Sequence, residues 1–225
     1  MAGREEPFET DGYYHVFNRG VAKFPIFVSE HDYQQAMLGL NYYRFIKPPI
    51  KLSRFKRLNI QSKIELLAKL GETGDKLVDI VSFVFMPNHF HFLLKQTADD
   101  GIAKYLSLFT NSYTRYFNTK HNRIGPLFQG VFKAVRVESN NQLLHLSRYI
   151  HLNPYVSNIV TKTNLSTYPW SSLPSYLFGT KDFVESKIVI SQYKDFAKYR
   201  DFVLSHADYA SELEYIKHMT LDLDR

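Results

Sequence analysis

The chain has no cysteine, one tryptophan and no apolar run approaching the ~20 residues that a membrane helix needs. Without cysteine, disulfides, thiolate zinc sites and a cysteine nucleophile are excluded. Without a long apolar run, a soluble protein with no membrane partner is expected. The opening stretch, MAGREEPFETDGYY, has no apolar segment and carries acidic residues. It reads as neither a signal nor a transit peptide, so a cytoplasmic location is expected. Internal repeats and low-complexity tracts are also missing.

What is present is 225 residues, enough for one substantial core with additions. Lys and Arg number 28 against 22 Asp and Glu, a net charge of +6 that favours a polyanionic partner through counterion release. Aromatic residues make up 16% of the chain, 16 of them Tyr and 18 Phe. Rings interleaved with basic residues suit unpaired bases that can stack, although most rings in any chain are core.

Residues 13–18, YYHVFN, read as a strand, ended at Arg19-Gly20 where glycine allows a sharp departure. SEHDYQQAMLGLNYYRFI predicts a helix capped by Ser29 and stopped by Pro48-Pro49. Residues 51–69 are basic and mixed in pattern, with a short helix at 61–70, and read equally as a nucleic-acid-facing insertion and as a solvated excursion. KLVDIVSFVFMP and HFHFLLKQ, joined through Met86-Pro87-Asn88, predict a hairpin of two central strands. IAKYLSLFTNSYTRYFNTKH is an amphipathic helix, with Ile102, Leu106, Phe109, Tyr113, Tyr116 and Phe117 on its apolar face. A strand follows at 132–137, then a helix at 141–152 capped by Asn140 and stopped by Asn153-Pro154, and a helical pattern from about 191. This order implies an α+β fold: a ferredoxin-like central antiparallel sheet of four or five strands with helices packed on it, plus a helical C-terminal extension.

On a strand, residues i and i+2 share a face, so His89 and His91 present two imidazoles side by side while Phe90 turns to the packed face. With nine histidines in the chain, such a pair alone is weak. The helix at 141–152 adds to it, because Gln142, His145, Tyr149 and Asn153 fall on one stripe beside an apolar stripe of Leu143, Leu146 and Ile150. Tyr149 can then direct its hydroxyl at the histidine pair, and Asn153, one turn on, can offer an amide oxygen to a hard cation such as Mg²⁺ or Mn²⁺.

The motifs YYHVFNRG, FMPNHFHFLL, SYTRYFN, GPLFQGVFKA and RYIHLNP, in that order, resemble the single-tyrosine HUH transposases, most closely the REP-associated tyrosine transposases. The resemblance runs over about residues 13–180. It implies a catalytic domain at 1–180, with a basic insertion at about 48–75, followed by the helical extension at 181–225. It implies that His89, His91 and Asn153 hold Mg²⁺ or Mn²⁺ and that Tyr149 attacks DNA, giving a 5′-phosphotyrosine and a free 3′-hydroxyl. Arg19, Lys133, Arg136 and Arg148 are candidate DNA contacts. Two departures bear on substrate: Val131 stands where the family often has arginine, and 48–75 is longer than in typical members.

The expected function is metal-dependent cleavage and transfer of single-stranded or hairpin DNA by a cytoplasmic, nucleoid-associated enzyme. The alternatives are a catalytically idle hairpin-binding regulatory module, and a hydrolase in which the histidines hold a water-activating metal and Tyr149 only packs. The sequence leaves monomer and homodimer equally open.

Overall fold

The computed structural model describes residues 7–180 and 183–205. Four strands, β1 (Tyr13–Arg19), β2 (Val78–Met86), β3 (His89–Gln96) and β4 (Lys133–Val137), form one antiparallel sheet in the order β2-β3-β1-β4. Eight helices accompany them among the described residues: α1 (Glu30–Tyr42), α2 (Leu52–Phe55), α3 (Ile60–Thr73), α4 (Gly101–Lys120), α5 (Asn140–Val156), α6 (Leu173–Phe178), α7 (Lys187–Ile190) and α8 (Phe196–Leu204). The fold is thus α+β, a four-stranded antiparallel sheet with helices packed around it.

The β2–β3 hairpin forms where the alternation in HFHFLLKQ predicts it, and Pro87-Asn88 make the turn. The Pro87 carbonyl accepts the N–H groups of both Ile26 and Phe27, and the Asn88 carbonyl accepts that of Gly20. The turn is therefore tied to the chain leaving β1. Gly20 has φ −63° and ψ 145°, torsions open to any residue, so it does not serve a sharp turn. Glycine is needed for a close approach: a Cβ there would stand 2.2 Å from the Phe24 carbonyl oxygen.

Alternation gives the sheet two differently covered faces. Phe90, Phe92 and Leu94 turn towards α4, where Phe109 meets Phe90 and Phe92 edge-on, and α1 packs beside α4. On the other face His89, His91 and Leu93 share their side with Arg19, Phe17 and His15 of β1. That face is covered by α5, whose Leu143, Ile150 and Leu152 are buried.

Two expectations for α5 are corrected. Its N-cap is Ser139, whose extended torsions and hydroxyl accepting the Gln142 N–H leave Asn140 as the first helical residue. Nor does the helix stop at Asn153-Pro154, since it runs through both to Val156. The local bias of a pre-proline residue is overridden because both residues are buried, and in the last turn proline forfeits only one helical hydrogen bond.

The outer edge of β2 is closed by later chain. Ser171 bridges Val84 antiparallel and Val184 bridges Ile80 parallel, while the Ser172 N–H donates to the Phe83 carbonyl at 2.9 Å. Of the extension at 181–225, residues 183–205 are described, and α7 and α8 pack on α5. Tyr199 and Val203 of α8 are fully buried. Residues 181–182 and 206–225 lie outside the described residues.

Candidate active site

β3 starts directly after the hairpin turn, which sets His89 at the mouth of the sheet and His91 one pleat further in. His91 is fully buried and His89 half-buried. Their ring centroids are 5.0 Å apart and nearly perpendicular. Each ring is held at its Nδ1. The His89 nitrogen lies 2.6 Å from Asn88 Oδ1, and the Asn88 amide is itself fixed by donating to the Lys23 carbonyl at 3.1 Å. With the amide in that orientation, His89 Nδ1 donates and Nε2 is left as the acceptor nitrogen. His91 Nδ1 lies 3.0 Å from His15 Nε2. Burial pushes the His15 imidazole down to about 3, so it is neutral and one of the two facing nitrogens donates to the other.

Tyr149 comes to this pair from α5. It is 5% exposed, and its ring packs edge-on against His91, centroid to centroid 5.4 Å, and against His15 at 6.1 Å. One helical turn on, Asn153 is 4% exposed, and among the described residues no hydrogen-bond donor reaches its buried Oδ1. A buried carbonyl oxygen in that condition costs about 1–3 kcal/mol of desolvation, which a cation would offset. No group of three His, Asp or Glu residues among the described residues is disposed to hold a metal. The donor set here is different in kind, two imidazoles and an amide oxygen, and it suits a cation that takes mixed nitrogen and oxygen ligands.

The predicted polar stripe on α5 divides. Tyr149 and Asn153 are buried, whereas Gln142 and His145 are exposed near the start of the helix, with Gln142 Oε1 accepting the Glu138 N–H. The basic candidates divide too. Arg19 is the direct β-partner of His89 and shares its face, with Nε donating to Gln129 Oε1 at 2.7 Å. Lys133, opposite Phe17, lies on the same face. Arg136, opposite Tyr14, lies on the other face and pairs bidentately with Glu9 at 2.6 Å. Arg148 is buried, donates to His145 Nδ1 at 2.7 Å and covers the Phe202 ring at 4.5 Å. Arg19 and Lys133 therefore join the site's face, and Arg136 and Arg148 do not.

Three participants were not anticipated. His15 and Asn88 orient the histidines, and His151 fastens the helix that carries Tyr149. The His151 ring is fully buried, with Nδ1 2.7 Å from the Tyr199 hydroxyl and Nε2 2.7 Å from Ser172 Oγ. The strand alternation of YYHVFN puts His15 in phase with Phe17 and Arg19, but only the β1–β3 register sets it beside His91.

Residues 42–153 match the family model described as "Transposase IS200 like". No curated protein matches the chain significantly. Among solved structures, one described as a REP-associated tyrosine transposase bound to a REP hairpin aligns with 81% of this chain and 90% of its own, at 14% identity and a TM-score of 0.51. That likeness is one of fold. A second, from a Deinococcus radiodurans protein assigned as a transposase, covers 70% of this chain and 96% of its own at 13% identity. Its TM-score of 0.35 is too low to bear on the fold.

Proposed function

Residues 42–153 match the IS200-like transposase family model, and from that likeness we propose that this chain cleaves and rejoins single-stranded or hairpin DNA through Tyr149. The phenolic oxygen attacks the scissile phosphorus, the bond to the 3′-oxygen breaks, and the products are a 5′-phosphotyrosine and a free 3′-hydroxyl. Because the phosphate stays esterified, a second 3′-hydroxyl can reverse the step and join strands.

His89, His91 and Asn153 would hold Mg²⁺ or Mn²⁺. When bound, the cation supplies charge to the scissile phosphate, where negative charge develops. The protein's own part is positional. Asn88 holds the His89 ring by Nδ1 and leaves Nε2 as its ligand atom, while His15 holds the His91 ring at Nδ1, and with the shared proton on that Nδ1 the His91 Nε2 is the ligand atom too. The edge-on packing on His91 and His15 restricts the Tyr149 ring, which is how a weakly acidic phenol gains from proximity. Arg19 and Lys133 flank the same face and can contact phosphates of the bound strand. Tyr149 stands over the histidine pair of its own chain, which supports a complete site within one protomer. Among the described residues no helix is long and apolar enough to cross a membrane, and cytoplasmic, nucleoid-associated action is part of the proposal.

The observation that carries this reading is the buried Asn153 oxygen, which no donor among the described residues reaches, one turn from a tyrosine packed on two oriented histidines. The test is incubation with labelled hairpin DNA and Mg²⁺ or Mn²⁺. A covalent protein–DNA adduct is expected, lost on chelation and in Tyr149→Phe. Cleavage that survives Tyr149→Phe would point to a hydrolase, and binding without an adduct under any divalent cation would leave a binding module.

A further inference from the structure

Between Asp32 and Glu65 the chain contains no acidic residue and seven basic ones. Arg44 is buried over the Phe45 ring, but Lys47, Lys51, Arg54, Lys56 and Arg57 are exposed and crowd into eleven residues around α2. None of these five has an acidic partner among the described residues; Lys56 lies over the Tyr116 ring at 5.5 Å. The whole chain carries 28 Lys and Arg against 22 Asp and Glu, and its net charge of +6 is close to the charge that these five residues alone supply. With no carboxylate in the intervening sequence to offset them, these cations make a locally uncompensated run.

The segment is also built rather than loose. Leu52 and Phe55 are 6% and 1% exposed and form, with Tyr42, a small apolar cluster separate from the main core. The Tyr42 hydroxyl donates to the Ile50 carbonyl, and Pro48-Pro49 stiffen the approach. A solvated excursion needs no core of its own. This one buries Leu52 and Phe55 and turns its cations outward.

We propose that this surface is a phosphate-backbone clamp for duplex DNA, distinct from the strand-cleaving site. The segment's own rings, Phe45 and Phe55, are both buried, and the half-buried Tyr116 ring beside it lies under Lys56, so the segment offers mainly charge to a ligand. Closely spaced cations without rings fit the phosphate rows of a stem, whose sequence they do not read. The clamp sits against α1, in the helical layer on the sheet face opposite Tyr149, so the stretch of DNA it grips differs from the one that is cut. The inference rests on the proposed function only in taking DNA as the partner.

The experiment measures Kd for a labelled hairpin and for a stemless single strand across a salt series. It uses the full chain and a variant combining Lys47→Gln, Lys51→Gln, Arg54→Gln, Lys56→Gln and Arg57→Gln. Each lost contact lowers the slope of log K against log salt by about 0.9, so a fall of about 2 or more is expected on the hairpin, with little change on the stemless strand. A second variant with the three lysines replaced by arginine keeps the charge and is expected to match the parent, which separates loss of charge from loss of fold. An unchanged slope, or an equal fall on both DNAs, overturns the clamp. So does a variant that keeps its DNA slope but loses binding to phosphatidylserine vesicles. A parent chain that binds no DNA overturns the proposed function itself.

Discussion

At Asn153 stability and the proposed cation-binding role pull in opposite directions. The amide oxygen is buried and no donor among the described residues reaches it, so in the cation-free protein it is a liability of about 1–3 kcal/mol. Asn153→Leu keeps a similar volume and removes that penalty. The variant should be more stable by about 1 kcal/mol in denaturant titration, and its Mn²⁺ binding, followed by electron paramagnetic resonance, should fall at least tenfold. A variant that is destabilised while binding Mn²⁺ normally would remove Asn153 from the ligand set. Spacing along one helix was enough to bring Tyr149 and Asn153 together. The partners of the histidines were not legible, because Asn88 acts through a turn and His15 through the pairing of strands 76 residues apart in the chain. No local pattern encodes such a register.

Helix α5 carries Tyr149, the proposed nucleophile, and its setting depends on elements far along the chain. His151, two residues beyond Tyr149, points away from the site and links α5 to Tyr199 of α8 and to Ser172 at the β2 edge. On the opposite face, Asp32 joins the start of α1 to the end of α4. Its enclosed carboxylate accepts from Lys120 at 2.7 Å, from Tyr116 at 2.8 Å and from the N–H groups of Val28 and Ser29. Burial alone would raise its pKa, but these hydrogen bonds outweigh it and hold the carboxyl well below the usual carboxylate range. A carboxyl depressed on folding stabilises the protein above its unfolded pKa, near 4, and that contribution is lost as pH falls towards the folded value. Asp32→Asn should therefore cost about 2 kcal/mol or more at pH 7, with the gap to the parent narrowing below about pH 4 in thermal melts. A pH-independent gap would mean that packing, not charge, holds the two helices. The helices themselves were readable from periodicity and from the Ser29 cap, which the structure completes as a capping box with Asp32. The end of α5 was not, because burial of Asn153 and Pro154 in the fold outweighs a local preference.

For the whole molecule, the described part of the tail, residues 183–205, is not an appendage. Tyr199 and Val203 sit in the same core as the sheet, and Val184 closes part of the β2 edge. A chain truncated after residue 180 should lose cooperative unfolding and expose the buried side of α5, visible as a lost thermal transition and dye binding. A truncated chain that melts like the parent would make 1–180 an autonomous unit. The two-faced sheet and its helices follow from alternation and amphipathicity. The closing of the β2 edge does not, since it depends on segments about 90 residues further along the chain. That closure also limits how copies could assemble. With β2 covered, β4 is the one bare strand flank of the sheet among the described residues, with Val135 and Arg136 exposed on it. Two chains joined flank to flank there would each use up their single open side. Growth by strand addition would end at a pair and could not continue into a filament.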